Sequence, residues 1–438
     1  MTAASPPAPD AELVRRLAGE VAERLGVANG AAADPVARQA LAASVLNERL
    51  DDLARRRIAQ GGKPLGTEEE DALAAAVRAR LFGVAEFEDL LRDDSVENVI
   101  CDRWDVIWRR HADGSWEQVA PICDSEEALT EIIRTAAATS GRAERRFDAG
   151  RPWVSFRLAD GSRLTAVRPE IAGRTAFAIR RHRYAHADIA TLRRLGTLSA
   201  CVASLLAAAV LARLNILITG STDAGKTTLL RALLNVVPPA ERLVTVEDAV
   251  ELAVGHAGRH PRALELECRE DNVEGEGEVA MRELTRLALR LSPDRVIVGE
   301  ARGPEILEMF QAMCQGKDGS MGTLHARSSA DAFVQIMRYA LKAPERLDPQ
   351  AVAVDVAASL NLVVHIAKLR SGGRAVTSVR EVVGYDGPHV VSNEILAPDR
   401  SGRAVPTGTP LRESTLDDLI DAGFDPATLD LPGGGWDG

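Results

Sequence analysis

A chain of 438 residues exceeds what one hydrophobic core ordinarily serves and predicts two or three domains. Its formal charge of −11, from 64 acidic against 53 basic side chains, argues against a general nucleic-acid binder, because phosphate contacts favour a basic surface. The five cysteines (Cys101, Cys123, Cys201, Cys268 and Cys314) stand far apart, which fits a reducing compartment and speaks against a disulfide framework or a zinc site.

The first residues are Ala/Pro-rich and carry neither the basic nor the apolar stretch of a secretory signal. From Asp10 to Leu81 apolar residues recur at helical spacing, as in Leu13, Leu17, Val21 and Leu25, so residues 1–82 are expected to be an N-terminal helical segment, partly disordered. The period then changes. Short β-like runs, a helix near 125–140 and a hairpin turn at Ala159-Asp160-Gly161-Ser162 predict a smaller α+β domain over residues 83–184. A linker is expected at 185–197.

From residue 198 to 397 helix and strand patterns alternate, the signature of a mostly parallel sheet with helices on its faces. Strands are predicted at 214–219, 243–246, 295–298 and 321–324, followed by helices at 330–341 and 349–358 and hairpin-like strands thereafter. The apolar run 200–212 is shorter than the roughly 20 residues a membrane-crossing helix needs. Residues 398–438 are Gly/Pro-rich and are expected to be a tail without defined structure.

The strand at 214–219 runs into Gly220, Ser221, Thr222, Asp223, Ala224, Gly225, Lys226, Thr227 and Thr228, which contain G-x-x-x-x-G-K-T in its required strand–loop–helix setting. The two glycines let successive backbone N–H groups turn inward toward phosphates, and the following helix adds its positive N-terminal dipole. Lys226 is placed to bridge β- and γ-phosphate oxygens of ATP, and the Thr227 hydroxyl to ligate Mg²⁺.

Two later strands end in carboxylates: Glu247 and Asp248 after 243–246, and Glu300, followed by Arg302, after 295–298. Carboxylates at the carboxyl ends of parallel strands face the crevice that holds the phosphate loop. One can hold Mg²⁺ while the other orients or deprotonates the attacking water, and the residues alone leave open which does which. The metal candidates are therefore Thr227, Glu247 and Glu300.

These residues stand in an order that resembles the type II/type IV secretion ATPases, and among them the CpaF-like ATPases of tight-adherence pilus assembly. The similar boxes are Leu195-Gly-Thr-Leu-Ser, the phosphate loop, Thr245-Val-Glu-Asp with Glu251-Leu252, Asn272-Val-Glu-Gly-Glu-Gly-Glu, Ser292-Pro-Asp-Arg-Val-Ile-Val-Gly-Glu, and Asp318-Gly-Ser-Met-Gly-Thr-Leu-His. The resemblance implies an α/β fold: a RecA-like P-loop ATPase core preceded by a PAS-like domain, assembled as a homohexamer and coupled to a platform protein of the inner membrane. It implies a cytoplasmic motor, peripheral at the membrane through that partner, that hydrolyses ATP to power pilus assembly or secretion.

Arg163 and Arg180 match the basic residues that the family brings to the phosphates, and His325 matches the second histidine of its His box. That box departs from the pattern at Lys317, where the family commonly has its first histidine. The tetracysteine zinc module of many relatives is absent. A nucleic-acid motor on the same core is disfavoured by the acidic charge and the lack of a basic, aromatic-interleaved stripe. A nucleotide-bound scaffold without turnover is disfavoured by the two strand-end carboxylates.

Overall fold

The computed structural model describes residues 10–27, 35–59, 61–63, 65–81, 85–139, 145–158, 160–181, 187–255, 259–269 and 276–436. The chain divides into two compact units, Met1–Arg183 and Tyr184–Gly438. The box that begins at Asn272 falls largely outside the described residues, as do the start of the expected linker and Ala159 of the hairpin turn.

The first unit begins with α1 (Ala11–Val27), α2 (Pro35–Ala59) and α3 (Thr67–Leu81). Leu17, Val21, Leu46, Leu50, Leu73 and Val77 close one small core among them, as their four-residue spacing requires. The chain continues through α4 (Ala85–Leu90), β1 (Val96–Arg103), β2 (Val106–His111), β3 (Trp116–Val119), α5 (Glu126–Thr139), β4 (Trp153–Arg157), β5 (Arg163–Val167), α6 (Pro169–Ala172) and β6 (Ala176–Arg180). The strands form a six-stranded sheet in the order β3-β2-β1-β6-β5-β4, every pair antiparallel. Alternate residues such as Leu164, Ala166, Phe177 and Ile179 turn into a core shared with Leu129 and Ile133 of α5.

The second unit runs α7 (Ile189–Arg194), α8 (Ala200–Leu211), β7 (Ile216–Gly220), α9 (Lys226–Leu234), β8 (Leu243–Glu247), β9 (Leu264–Glu267), α10 (Met281–Arg290), β10 (Arg295–Ala301) and α11 (Glu305–Cys314). It continues with β11 (Met321–His325), α12 (Asp331–Ala340), α13 (Pro349–Ser359), β12 (Leu362–Lys368), β13 (Arg374–Asp386), β14 (His389–Pro398), β15 (Ala404–Pro406) and α14 (Glu413–Asp421). Its nine-stranded sheet has the order β15-β14-β13-β12-β7-β11-β10-β8-β9. The segment from β12 to β9 is parallel, and the β12–β15 edge is an antiparallel meander.

Both faces of the sheet are covered, which is why its central strands read as continuous apolar runs. Ile216, Ile218 and Val364 face α8 and α9, whereas Leu217, Val298 and Val363 face the core shared with α10 to α13. The apolar run at 200–212 is α8, capped by Ser199 accepting from the Val202 amide and buried along most of its length. No helix among the described residues is long and apolar enough to cross a membrane.

The amino ends of the parallel strands are locked by a buried guanidinium. Arg295, with none of its surface exposed, makes two 2.8 Å bonds to the Glu241 carboxylate and a third to the Val210 carbonyl. Arg213 adds a 2.7 Å bond to the same carboxylate, so neither charge is left unpaired. The turn of Gly316, Lys317, Asp318 and Gly319 lies at this end: the Ser320 hydroxyl donates to the Lys317 carbonyl at 2.6 Å, and Gly319 abuts the Arg295 guanidinium.

Three segments differ from the sequence reading. Residues 189–194, expected within a linker, form α7, because Asp188 accepts from the Thr191 amide and nucleates a turn. The short strand β9 is not among the predicted strands, since four residues of alternating pattern carry little periodic signal. The segment after Pro398 is packed, not loose. Leu411, Leu419 and Phe424 join the same core as α8 and β7, and Arg412 reaches the fully buried Glu381 of β13 at 3.1 Å. Its Gly/Pro content serves tight turns against α8, where the Gly435 carbonyl accepts from the Ala200 amide at 3.0 Å.

Candidate phosphate and carboxylate site

Parallel strands β7, β11, β10 and β8 deliver Gly220, His325, Glu300 and Glu247 at their carboxyl ends. Gly220 is required by close approach: a Cβ there would run into the Ile366 carbonyl of β12. Gly225 is required by conformation, with φ of +101° at the N-terminus of α9. The loop between them opens directly onto the first turn of α9, where Thr227 and Thr228 are half-buried.

Lys226 is 94% buried, and its ammonium turns back over the loop to the Ser221 carbonyl at 3.1 Å. The same nitrogen lies 3.1 Å from His325 Nδ1 and 3.4 Å from Glu300 Oε1. Because an ammonium only donates, His325 Nδ1 accepts, which assigns the ring proton to Nε2 and directs it to Glu300 Oε1 at 2.8 Å. Burial and the nearby Lys226 charge depress the His325 pKa against the opposing pull of Glu300, in keeping with that neutral tautomer.

Glu300 is held by cations. Burial pushes its pKa up, but Lys226, Arg302 and His325 together more than reverse this and keep the carboxyl below its ordinary value. Arg302 reaches Glu300 Oε2 at 2.6 Å and Asp248 Oδ2 at 3.4 Å. The Glu305 carboxylate accepts from the Arg302 and Gly303 amides and so fixes the start of α11.

Glu247 behaves differently. Its Oε2 accepts from the Glu251 and Leu252 amides at 2.8 and 2.9 Å, while Oε1 lies 3.5 Å from the Thr245 hydroxyl. Arg231 of α9 grips the same segment from the other side through the Glu251 and Leu252 carbonyls. Glu247 also packs on Gly299, where a Cβ would come within 2.7 Å of its Cγ. Burial pushes this carboxyl up to about 7, despite the two amides that favour its charged form.

The structure thus brings Lys226, Glu300 and His325 into mutual contact, and holds Glu247 one strand away in its own hydrogen-bonded setting. Arg163 and Arg180 lie in the first unit, directly opposite each other on β5 and β6, with Arg157 opposite Arg163 on β4. Arg163 donates from Nε to the Ser155 hydroxyl at 3.0 Å. Lys317 is separated from His325 by the whole of β11, roughly 15 Å at ordinary strand rise, and lies at the opposite end of the sheet from the loop.

Three participants were not assigned from sequence. Arg302 was visible only as a charge after Glu300, and Arg231 only as a helix arginine. His365 of β12 is a lone polar residue in an apolar strand. Its Nδ1 lies 2.9 Å from the Thr219 hydroxyl, directly before Gly220, and burial lowers its pKa to about 4.

Oxygen donors and an ionised carboxylate suit a hard divalent cation, and Mg²⁺ takes most of its ligands from water and phosphate instead of a protein cage. Among the described residues no group of three or more His, Cys, Asp or Glu gathers as a ready-made metal site. Thr227 and Glu300 fit such an ion.

Residues 83–391 match the family model described as Type II/IV secretion system protein. The chain belongs to that family. A relative from Mycobacterium tuberculosis, the putative conjugal transfer protein Rv3659c, is 37% identical over 322 residues, covering 72% of this chain and 89% of its own. The probable conjugal transfer protein TrbB of Sinorhizobium fredii is 26% identical, over 66% of this chain and 84% of its own. The protein VirB11 of Agrobacterium fabrum is 34% identical over a shorter stretch, 34% of this chain and 44% of its own. The solved ATPase DotB of Legionella pneumophila aligns over 68% of this chain and 79% of its own at 16% identity and a TM-score of 0.49.

Proposed function

We propose that this chain is a Mg²⁺-dependent ATPase, the motor of a machine that assembles a pilus or secretes protein across the cell envelope. The observation that carries this reading is the triangle of Lys226, Glu300 and His325 at the mouth of the phosphate loop. The loop amides and Lys226 would bind the β- and γ-phosphates, and Thr227 with Glu300 would hold Mg²⁺, which when bound would supply charge neutralisation to the transferring phosphoryl group. Glu300, kept ionised by its cations, is the carboxylate tied directly to Lys226 of the loop. Glu247, with its carboxyl pushed up to about 7, is the candidate proton acceptor for the attacking water.

Arg163 and Arg180 answer the charge that spreads over the phosphoryl oxygens. That role is the one the resemblance of the ordered sequence boxes implies for these two positions. Family membership, together with relatives named for conjugal transfer, supports an envelope machine as the setting. A homohexameric ring, the CpaF-like branch, a platform protein of the inner membrane and a peripheral cytoplasmic position belong to the same reading and come from the ordered sequence boxes.

Phosphate release from ATP with and without Mg²⁺ tests the core of it. Hydrolysis that persists in a folded Lys226→Ala protein would refute the assigned site.

A further inference from the structure

The phosphate loop is held from outside by a residue 151 positions away in the chain. Asp223, in the middle of the loop, sits at φ of +61°, a left-handed conformation that strains a residue bearing a side chain. Arg374, the first residue of β13, donates from Nε to the Asp223 carbonyl oxygen at 2.8 Å. Its aliphatic stem lies against the loop as well, with Cδ 3.2 Å from where a Cβ on Gly225 would stand. The turn that delivers Arg374 is tight, closed by Gly372 donating to the Leu369 carbonyl, with Gly372 and Gly373 both at positive φ.

A trans peptide points its carbonyl and its N–H in opposite directions. Drawing the Asp223 carbonyl outward therefore turns the Ala224 N–H into the loop, where it meets the Ser221 carbonyl at 3.3 Å. Lys226 Nζ meets that same carbonyl at 3.1 Å. The direction of the inner donors is thus tied to a guanidinium that stands outside the loop.

We propose that Arg374 is a positioning residue for nucleotide: by holding the strained Asp223 peptide outward, it keeps the loop's inner amides and Lys226 aimed at the β- and γ-phosphates. The proposal deepens the nucleotide-binding reading above and rests on it. Arg374 acts through the loop and not on the nucleotide, so relieving the strain at Asp223 compensates for its loss. Glycine adopts φ of +61° without steric cost.

The test uses the full chain, as wild type, Arg374→Ala, Arg374→Lys, the double variant Arg374→Ala with Asp223→Gly, and Arg370→Ala as a control on the exposed hairpin. Amide hydrogen exchange over residues 221–225 without nucleotide reads the hook itself. Titration with a fluorescent ADP analogue and Mg²⁺ reads its consequence. In Arg374→Ala the amides of 223–225 exchange faster and the analogue binds about tenfold more weakly, the loss expected for one charge-assisted hydrogen bond. Arg374→Lys falls between, the double variant recovers about fivefold, and Arg370→Ala matches wild type. Unchanged exchange in both Arg374 single variants, unchanged affinity, or a double variant as weak as Arg374→Ala overturns the proposal. If wild type fails to bind the analogue, the nucleotide reading falls, while the exchange measurement still decides whether Arg374 orders the loop.

Discussion

Lys226 Nζ lies 3.4 Å from Glu300 Oε1, and both touch the His325 ring, whose Nδ1 faces the ammonium and whose Nε2 faces the carboxylate. Lys226 from the start of α9 and Glu300 and His325 from two parallel strand ends thus share one electrostatic balance, so a change at any one is felt by the other two. In the proposed nucleotide complex, an anionic phosphate on Lys226 would compete with Glu300 and free that carboxylate for water or a cation.

Glu300→Gln removes the charge but keeps the shape. Nucleotide binding is expected to survive, while phosphate release falls by about 10² to 10³, the usual cost of losing one group that acts on the transition state. His325, deprived of the carboxylate that raises its pKa, titrates still lower, which NMR of the ring protons would show.

Glu247 should govern the acid limb of the pH–rate profile. With its carboxyl pushed up to about 7, the rate declines as pH falls through that value, and Glu247→Gln loses both most of the rate and the limb. An acid limb that survives in the Gln variant would move the base elsewhere. The same shift has a stability consequence: the folded state binds the extra proton between 4.5 and about 7, so Glu247 stabilises below that window and loses its contribution as pH rises through it.

His365 has the opposite sign. Its folded pKa of about 4 lies below the ordinary 6.5, so the unfolded chain binds more protons between the two values. Stability attributable to this residue is intact above pH 6.5 and declines as pH falls toward 4, by roughly 3 kcal/mol across the window. Urea unfolding of the wild type and of His365→Asn, at pH 7.5 and about pH 5, should show the gap between them change with pH.

Leu419, fully buried in α14, tests whether the C-terminal segment is part of the second unit's core. Leu419→Ala should cost about 2–5 kcal/mol in denaturant unfolding, as for any filled core position. A loosely attached tail would register under about 0.5 kcal/mol.

Local pattern made the phosphate loop legible: a β-branched strand, two glycines at fixed spacing, a lysine and a helix all lie within a few residues. Apolar runs ending in Glu247 and Glu300 were equally local, as was α8, whose short uniform hydrophobicity marks a core helix. Propensity and spacing act over one or two turns of chain, and there the sequence alone determined the element.

Only the tertiary structure could separate the two carboxylates, because their difference lies in their partners. Glu247 meets backbone amides held by Arg231, whereas Glu300 meets Lys226, Arg302 and His325. It also moved Lys317 to the far end of β11, brought Arg374 and His365 to the loop across 151 and 146 residues, and folded the Gly/Pro-rich end onto α8. Burial and charge pairing between segments so distant depend on sheet register and packing, which no short window of sequence contains.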